Sequence, residues 1–129
     1  MTNPMPTFLI ADDSQEKTQF FLSLLKHVRW RGKILTTNTV EGAKALIDRY
    51  EIFAAFIDYY IPTTNGPSII RYLKAAHPSA RIALVSSVDR ASNAAEAREA
   101  GAEAVVCTSA EPDRVREELL ALLEAWRNK

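Results

Sequence analysis

Apolar positions along the chain follow two rhythms that alternate. Short, nearly unbroken runs occur at "TFLIA" (7–11), "KILTTN" (33–38), "IFAAFID" (52–58), "RIALVSS" (81–87) and "AEAVVCT" (102–108), which read as five strands. Between them lie longer stretches with helical spacing. Ser14 to Val28 puts Phe21, Leu24, Leu25 and Val28 on one face, and Val40 to Tyr50 does the same with Ala43, Leu46 and Ile47. A third helix starts near Asn65-Gly66-Pro67, with proline in its first turn, carries Ile69, Ile70 and Leu73, and runs to about His77. An alanine-rich helix is expected from about Asp89 to Ala100, closed by Gly101. The last begins near Glu111-Pro112 and carries the stripe Val115, Leu119, Leu122, Leu123, Trp126. Asp13 to Glu16 has the spacing of a capping box, with Asp13 in the place of the usual Ser or Thr.

Five strand–helix units imply a parallel sheet with right-handed crossovers and helices on both faces. The third strand, apolar throughout, fits a position covered on both sides. The expected fold is therefore α/β, flavodoxin-like and doubly wound, with five strands in the order 2-1-3-4-5 and five helices in a single domain. Ligands in such sheets bind beyond the C-terminal strand edges, where the strand order reverses. Asp12 and Asp13 end the first strand and Asp58 ends the third, so this topology gathers three carboxylates at the expected site.

Composition narrows the setting. The chain has 129 residues, 47% hydrophobic and 25% charged, which suits one domain, expected over 7–128 after an extended or disordered 1–6. Sixteen basic and sixteen acidic residues cancel, so no overall field favours nucleic acid or an anionic membrane as a partner. One cysteine, Cys107, excludes an internal disulfide and suits a reducing cytoplasm. "MTNPMP" lacks the basic start and apolar run of a signal peptide, and no apolar stretch approaches the ~20 residues of a membrane span.

The segment "FAAFIDYYIP" (53–62) poses the chemical question, because a carboxylate in an apolar strand is costly unless something pairs with it or binds it. Three clustered carboxylates repel, so either some are protonated or a cation neutralises them. Mg²⁺ suits oxygen ligands of this kind, and a carboxylate beside it can act as a nucleophile toward phosphorus. The plainer alternative makes Asp12 and Asp13 helix caps and Asp58 a loop residue.

"FLIADDSQ", "AAFIDYYIPTTNG", "RIALVSS" and "EAGAEAVVCT" together resemble the bacterial response-regulator receiver domain. The likeness rests on an acidic pair after the first strand, Asp58 with Pro62 four residues on and Gly66 eight on, and Ser86 at the end of the fourth strand. It implies that Asp58 is the phosphoacceptor, that Asp12, Asp13, Asp58 and the Tyr60 backbone carbonyl hold Mg²⁺, and that Ser86 hydrogen-bonds the phosphoryl group. It also implies a sensor histidine kinase or histidine phosphotransfer protein upstream. Downstream it implies a protein target, or a homodimer partner, on the face of the fourth helix, fifth strand and fifth helix.

Two positions depart from that pattern. The family's lysine at the end of the fifth strand falls on Thr108, seven residues after Gly101, and no Lys or Arg in "VVCTSAEP" takes its place. The aromatic ring that swings inward on phosphorylation falls on Val105. Tyr60, two residues after the acceptor, has a ring bulky enough to shield a phosphoryl group from water. Two readings follow. One is a stand-alone, single-domain response regulator in a phosphorelay, phosphorylated on Asp58 and no enzyme beyond its own phosphorylation and dephosphorylation. The other is a phosphorylation-independent pseudo-receiver used for docking or dimerisation. An aspartyl-phosphate phosphatase would need a second Asp where Tyr60 stands, and "ADDSQEK" has no glycine loop for a nucleotide. Cys107, Trp30 and Trp126 read as packing residues, Trp126 with an option to meet a partner. His27 and His77 read as helix-end residues.

Overall fold

The computed structural model describes residues 6–62 and 65–127. The expected extended or disordered start falls on 1–5, outside the described residues, apart from Pro6. In chain order the elements are β1 (Thr7–Ala11), α1 (Gln15–His27), β2 (Ile34–Thr37), α2 (Val40–Arg49) and β3 (Ile52–Ile57). There follow α3 (Gly66–Ala76), β4 (Arg81–Ser86), α4 (Ala91–Ala100), β5 (Ala104–Cys107) and α5 (Pro112–Arg127). The strands form one sheet in the order β2-β1-β3-β4-β5, every pair parallel. This is the doubly wound order that the alternating pattern predicts.

Strand alternation divides the core in two. Phe8, Ile10, Ala54, Phe56, Ala83 and Val85 meet the apolar stripes of α1 and α5 on one face. Leu9, Ala11, Ala55, Ile57, Ile82 and Leu84 meet α2, α3 and α4 on the other. The first face is aromatic: Phe56 makes edge contacts with Phe8 (4.9 Å) and Phe21 (5.2 Å) and lies 5.8 Å from Trp126. Ring pairs at such distances add to the burial of their area.

Several local expectations shift. The N-cap of α1 is Ser14, not Asp13. Asp12 Oδ1 accepts the Ser14 N–H at 2.8 Å, which leaves Ser14 Oγ to accept the Lys17 N–H at 3.1 Å, while the Asp13 side chain stays exposed. Helix α4 starts at Ala91, two residues later than expected, because its first turn closes on the Arg90 carbonyl, which accepts the Asn93 and Ala94 N–H groups. Leu46 and Leu122 are only partly buried. Trp126 is wholly buried, its Nε1 donating to Glu103 Oε2 at 3.2 Å, so it has no surface to offer a partner. Cys107 is half-exposed at the end of β5 beside Ser109 Oγ (2.9 Å), and so is not a core residue.

Because Trp126 is fully enclosed against Phe8 and Phe56, replacing it by alanine should lower unfolding stability by about 3–5 kcal/mol in urea titrations.

Candidate functional site

The site follows from one register. Ala11 of β1 pairs with Ile57 of β3, so the next residues, Asp12 and Asp58, leave neighbouring strand ends side by side. The Asp58 N–H donates to the Ala11 carbonyl at 2.9 Å and continues the ladder past the last paired residues. Alternation turns both side chains toward the α1/α5 side of the sheet, as with Phe8, Ile10 and Phe56. Asp12 and Asp58 are buried, Asp13 is exposed, and a carboxylate oxygen from each lies within 4.8 Å of the others.

The side chain that answers this charge comes from α1. Lys17 Nζ lies 2.9 Å from Asp12 Oδ2, 3.3 Å from Asp58 Oδ1 and 3.1 Å from the Val85 carbonyl oxygen. Lys17 is not among the candidate site residues of the sequence pattern. Its signal was present, because Lys17 stands four residues before Phe21 and so heads the apolar stripe that faces the sheet. A cation on the buried face of a helix requires an anion beneath it.

Burial pushes the Asp58 carboxyl up to about 6; the Lys17 ammonium opposes this and Asp12 and Asp13 reinforce it. Burial likewise raises Asp12, against the nearby Lys17 ammonium and the hydrogen bond from the Ser14 N–H. Three carboxylates against one ammonium leave two formal negative charges when all are ionised. Asp12 Oδ2 is buried and makes no well-aligned hydrogen bond, so a lone pair remains for another cation. An all-oxygen set with that charge, one member open to water, fits Mg²⁺.

Gly66 explains the glycine eight residues after Asp58. A Cβ there would stand 2.0 Å from the Asp58 carbonyl oxygen, and the Gly66 N–H donates to the Tyr59 carbonyl at 2.7 Å. The start of α3 thus lies directly on the acidic segment, a contact only glycine allows. Ser86 is buried at the end of β4, its Oγ accepting the Val88 N–H at 3.2 Å. The Thr108 N–H donates to the Ser86 carbonyl at 2.8 Å, placing residue 108 one strand beyond Ser86 and two beyond Asp58.

Tyr60 is exposed, and its hydroxyl accepts from Asn93 Nδ2 of α4 at 3.3 Å. The Tyr59 hydroxyl donates to Glu96 Oε1 at 2.7 Å, and the two rings make an edge contact at 4.8 Å. Both tyrosines therefore tie the segment after Asp58 to α4. Val105, partly buried on β5, supplies no ring to that link.

The family described as response regulator receiver domain matches residues 8–120. The search of curated proteins gives no significant match. Among solved structures, a BeF₃-activated DrrB receiver domain shares 22% identity, with TM-score 0.81 and coverage of 97% of this chain and 99% of that one. A CheY-like receiver domain protein from Methanospirillum hungatei JF-1 shares 18%, with TM-score 0.79 and coverage of 96% and 98%. The Mn²⁺-bound form of response regulator Rcp1 shares 12%, with TM-score 0.81 and coverage of 94% of each chain. At these identities the structural likeness speaks for the fold alone.

A buried acid raised from 3.8 to about 6 takes up a proton on folding, so the metal-free protein gains stability as pH falls through that window and loses it as pH rises. Between pH 7 and pH 5 the gain should be about 1 kcal/mol, water at the strand ends screening part of the effect. Urea titrations in EDTA should show it, and Asp58→Asn should abolish most of it.

Proposed function

The chain belongs to the response regulator receiver domain family, and on that premise we propose that Asp58 accepts a phosphoryl group and that the protein then acts by binding another protein. The observation that carries this reading is the buried Asp58 carboxylate set beside Asp12 and Asp13 at the β1 and β3 ends, within reach of a cation. Asp12, Asp13, Asp58 and the Tyr60 backbone carbonyl would hold Mg²⁺, which when bound offsets charge on the phosphoryl oxygens. In the transfer an Asp58 oxygen bonds to phosphorus as the donor's P–N bond (phosphohistidine) or P–O bond (acyl phosphate) breaks, and the leaving group departs with the bonding pair. Ser86 Oγ accepts from Val88, which leaves its own proton free to donate to a phosphoryl oxygen.

The donor is a sensor histidine kinase or a histidine phosphotransfer protein, and the reaction is the protein's own modification rather than turnover of a separate substrate. The output face is formed by α4, β5 and α5. A shallow cavity of about 380 Å³ there is lined by Arg98, Val105, Val106, Glu118 and Leu122, among others, and suits a protein target or a second copy of the chain. Tyr59 and Tyr60 link Asp58's segment to that face through Glu96 and Asn93, a route that does not need a ring at Val105. No helix among the described residues is long and apolar enough to cross a membrane. The balanced charge supplies no drive toward nucleic acid, and we place the protein in the cytoplasm.

A second reading, a docking or dimerisation module indifferent to phosphorylation, draws on Thr108 and Val105. Incubation with Mg²⁺ and acetyl phosphate, followed by intact mass, separates the two. The expected result is one added phosphoryl group, absent from Asp58→Asn. No addition from acetyl phosphate or from phosphorylated histidine kinases, with no binding of beryllofluoride, overturns the first reading.

Tyr59→Phe should raise amide exchange over 91–97 several-fold while lowering stability by no more than about 1 kcal/mol, the loss of one partly exposed hydrogen bond.

A further inference from the structure

We propose that Lys17, from helix α1, is the phosphoryl-site cation of this protein and takes the part left open by Thr108 at the end of β5. The inference rests on the phosphoacceptor reading above and concerns which residue stabilises that site.

The ammonium sits among three oxygens: it donates to the Val85 carbonyl at 3.1 Å and forms ion pairs with Asp12 Oδ2 at 2.9 Å and Asp58 Oδ1 at 3.3 Å. Together these span the C-terminal ends of β1, β3 and β4, so one side chain from outside the sheet touches three of its five strands. The Val85 carbonyl needs such a donor. The Ser86 carbonyl points toward β5, where it accepts from Thr108, so the Val85 carbonyl points toward β3, which has already ended at Ile57. The lysine side chain is only 18% exposed, so its charge acts where water screens it weakly.

Approach from α1 and approach from β5 converge on one place. Val106 packs into the α1/α5 core and Val105 into the other, so strand alternation carries position 108 to the α1/α5 side. A lysine at 108 would extend over β4 toward Asp58 from one flank; Lys17 reaches the same carboxylate from the other. Both ammonium groups would compete for the same oxygens, which explains why a chain with Lys17 in this position tolerates threonine at 108. Lys17 is held in place by its helix. Its N–H is the one capped by Ser14 Oγ, and Phe21, one turn on, anchors the same face in the aromatic core.

Before transfer, Lys17 neutralises part of the Asp12–Asp58 repulsion. During transfer the bond from the ammonium to Asp58 Oδ1 is exchanged for one to a phosphoryl oxygen, where negative charge has moved. The ammonium keeps its proton throughout.

Four proteins decide the matter: the wild type, Lys17→Met, Lys17→Gln and the double variant Lys17→Met/Thr108→Lys, each checked for folding by circular dichroism. With acetyl phosphate and Mg²⁺, loss of the charge should slow phosphorylation on the order of tenfold or more in both single variants. The double variant should recover most of the rate. A single-variant rate within twofold of wild type overturns the proposal, and so does a double variant as slow as Lys17→Met. Mg²⁺ titration by calorimetry provides a readout independent of transfer. Removing the competing cation should tighten Mg²⁺ binding roughly fivefold, and unchanged affinity overturns the assignment. If the wild type takes up no phosphoryl group, the phosphoacceptor reading has failed, and the Mg²⁺ titration still decides whether Lys17 is the cation of this site.

Discussion

Repulsion among carboxylates at the ends of two adjacent strands is the constraint around which this molecule is arranged. The Ala11–Ile57 register leaves Asp12 and Asp58 no choice but to stand beside each other, and the apolar cores below keep water from separating them. Nearby features reduce or contain that repulsion. Ser14 gives its N–H to Asp12, and Lys17 places an ammonium between Asp12 and Asp58. The charge left over suits a divalent cation. Burial of these like charges is unfavourable, and a bound cation would relieve it.

The two cores serve this site in different ways. The aromatic side, with Phe8, Phe21, Phe56 and Trp126, fixes α1 against β1 and β3 and so fixes the reach of Lys17. The aliphatic side, built on Leu9, Ile57, Ile69, Ile70 and Leu73, seats α3, whose first residue, Gly66, lies on the Asp58 carbonyl. Helix α4 is attached more lightly. Its buried members are small, Asn93, Ala97 and Ala100, and its links to the acidic segment are two tyrosine hydroxyl bonds. An element whose buried side chains are small and whose polar links are partly exposed changes position at less cost than one anchored by large buried rings. With Val105 on β5 and Thr108 at its end, the ammonium at the acidic cluster comes from α1, and the aromatic groups beside α4 come from the segment after Asp58.

Much of this could be read from the residues in order. The five strands and five helices follow from apolar periodicity, and their alternation implies the sheet order because parallel crossovers admit few topologies. The Asp12, Asp13 and Asp58 cluster follows from that order together with the rule that strand ends meet at the switch point. Local sequence was weaker at boundaries. The Asp13–Glu16 spacing suggested a cap that in fact falls on Ser14, because Asp12 had already claimed the Ser14 N–H. Trp126, near the chain end, left a surface role open that complete burial closes.

Lys17 marks the limit. Sequence determined that a lysine heads the buried stripe of α1 and that three acids end two strands, since both are statements about spacing within one segment or about strand order. Whether the lysine meets those acids depends on how α1 crosses the sheet, on the Ala11–Ile57 register and on where β3 stops beside β4. These are distances between segments far apart in the chain, set by the packing of both cores at once. That the acidic cluster holds an ammonium is therefore decided by the tertiary structure, because only folding makes residues 12, 17, 58 and 85 neighbours.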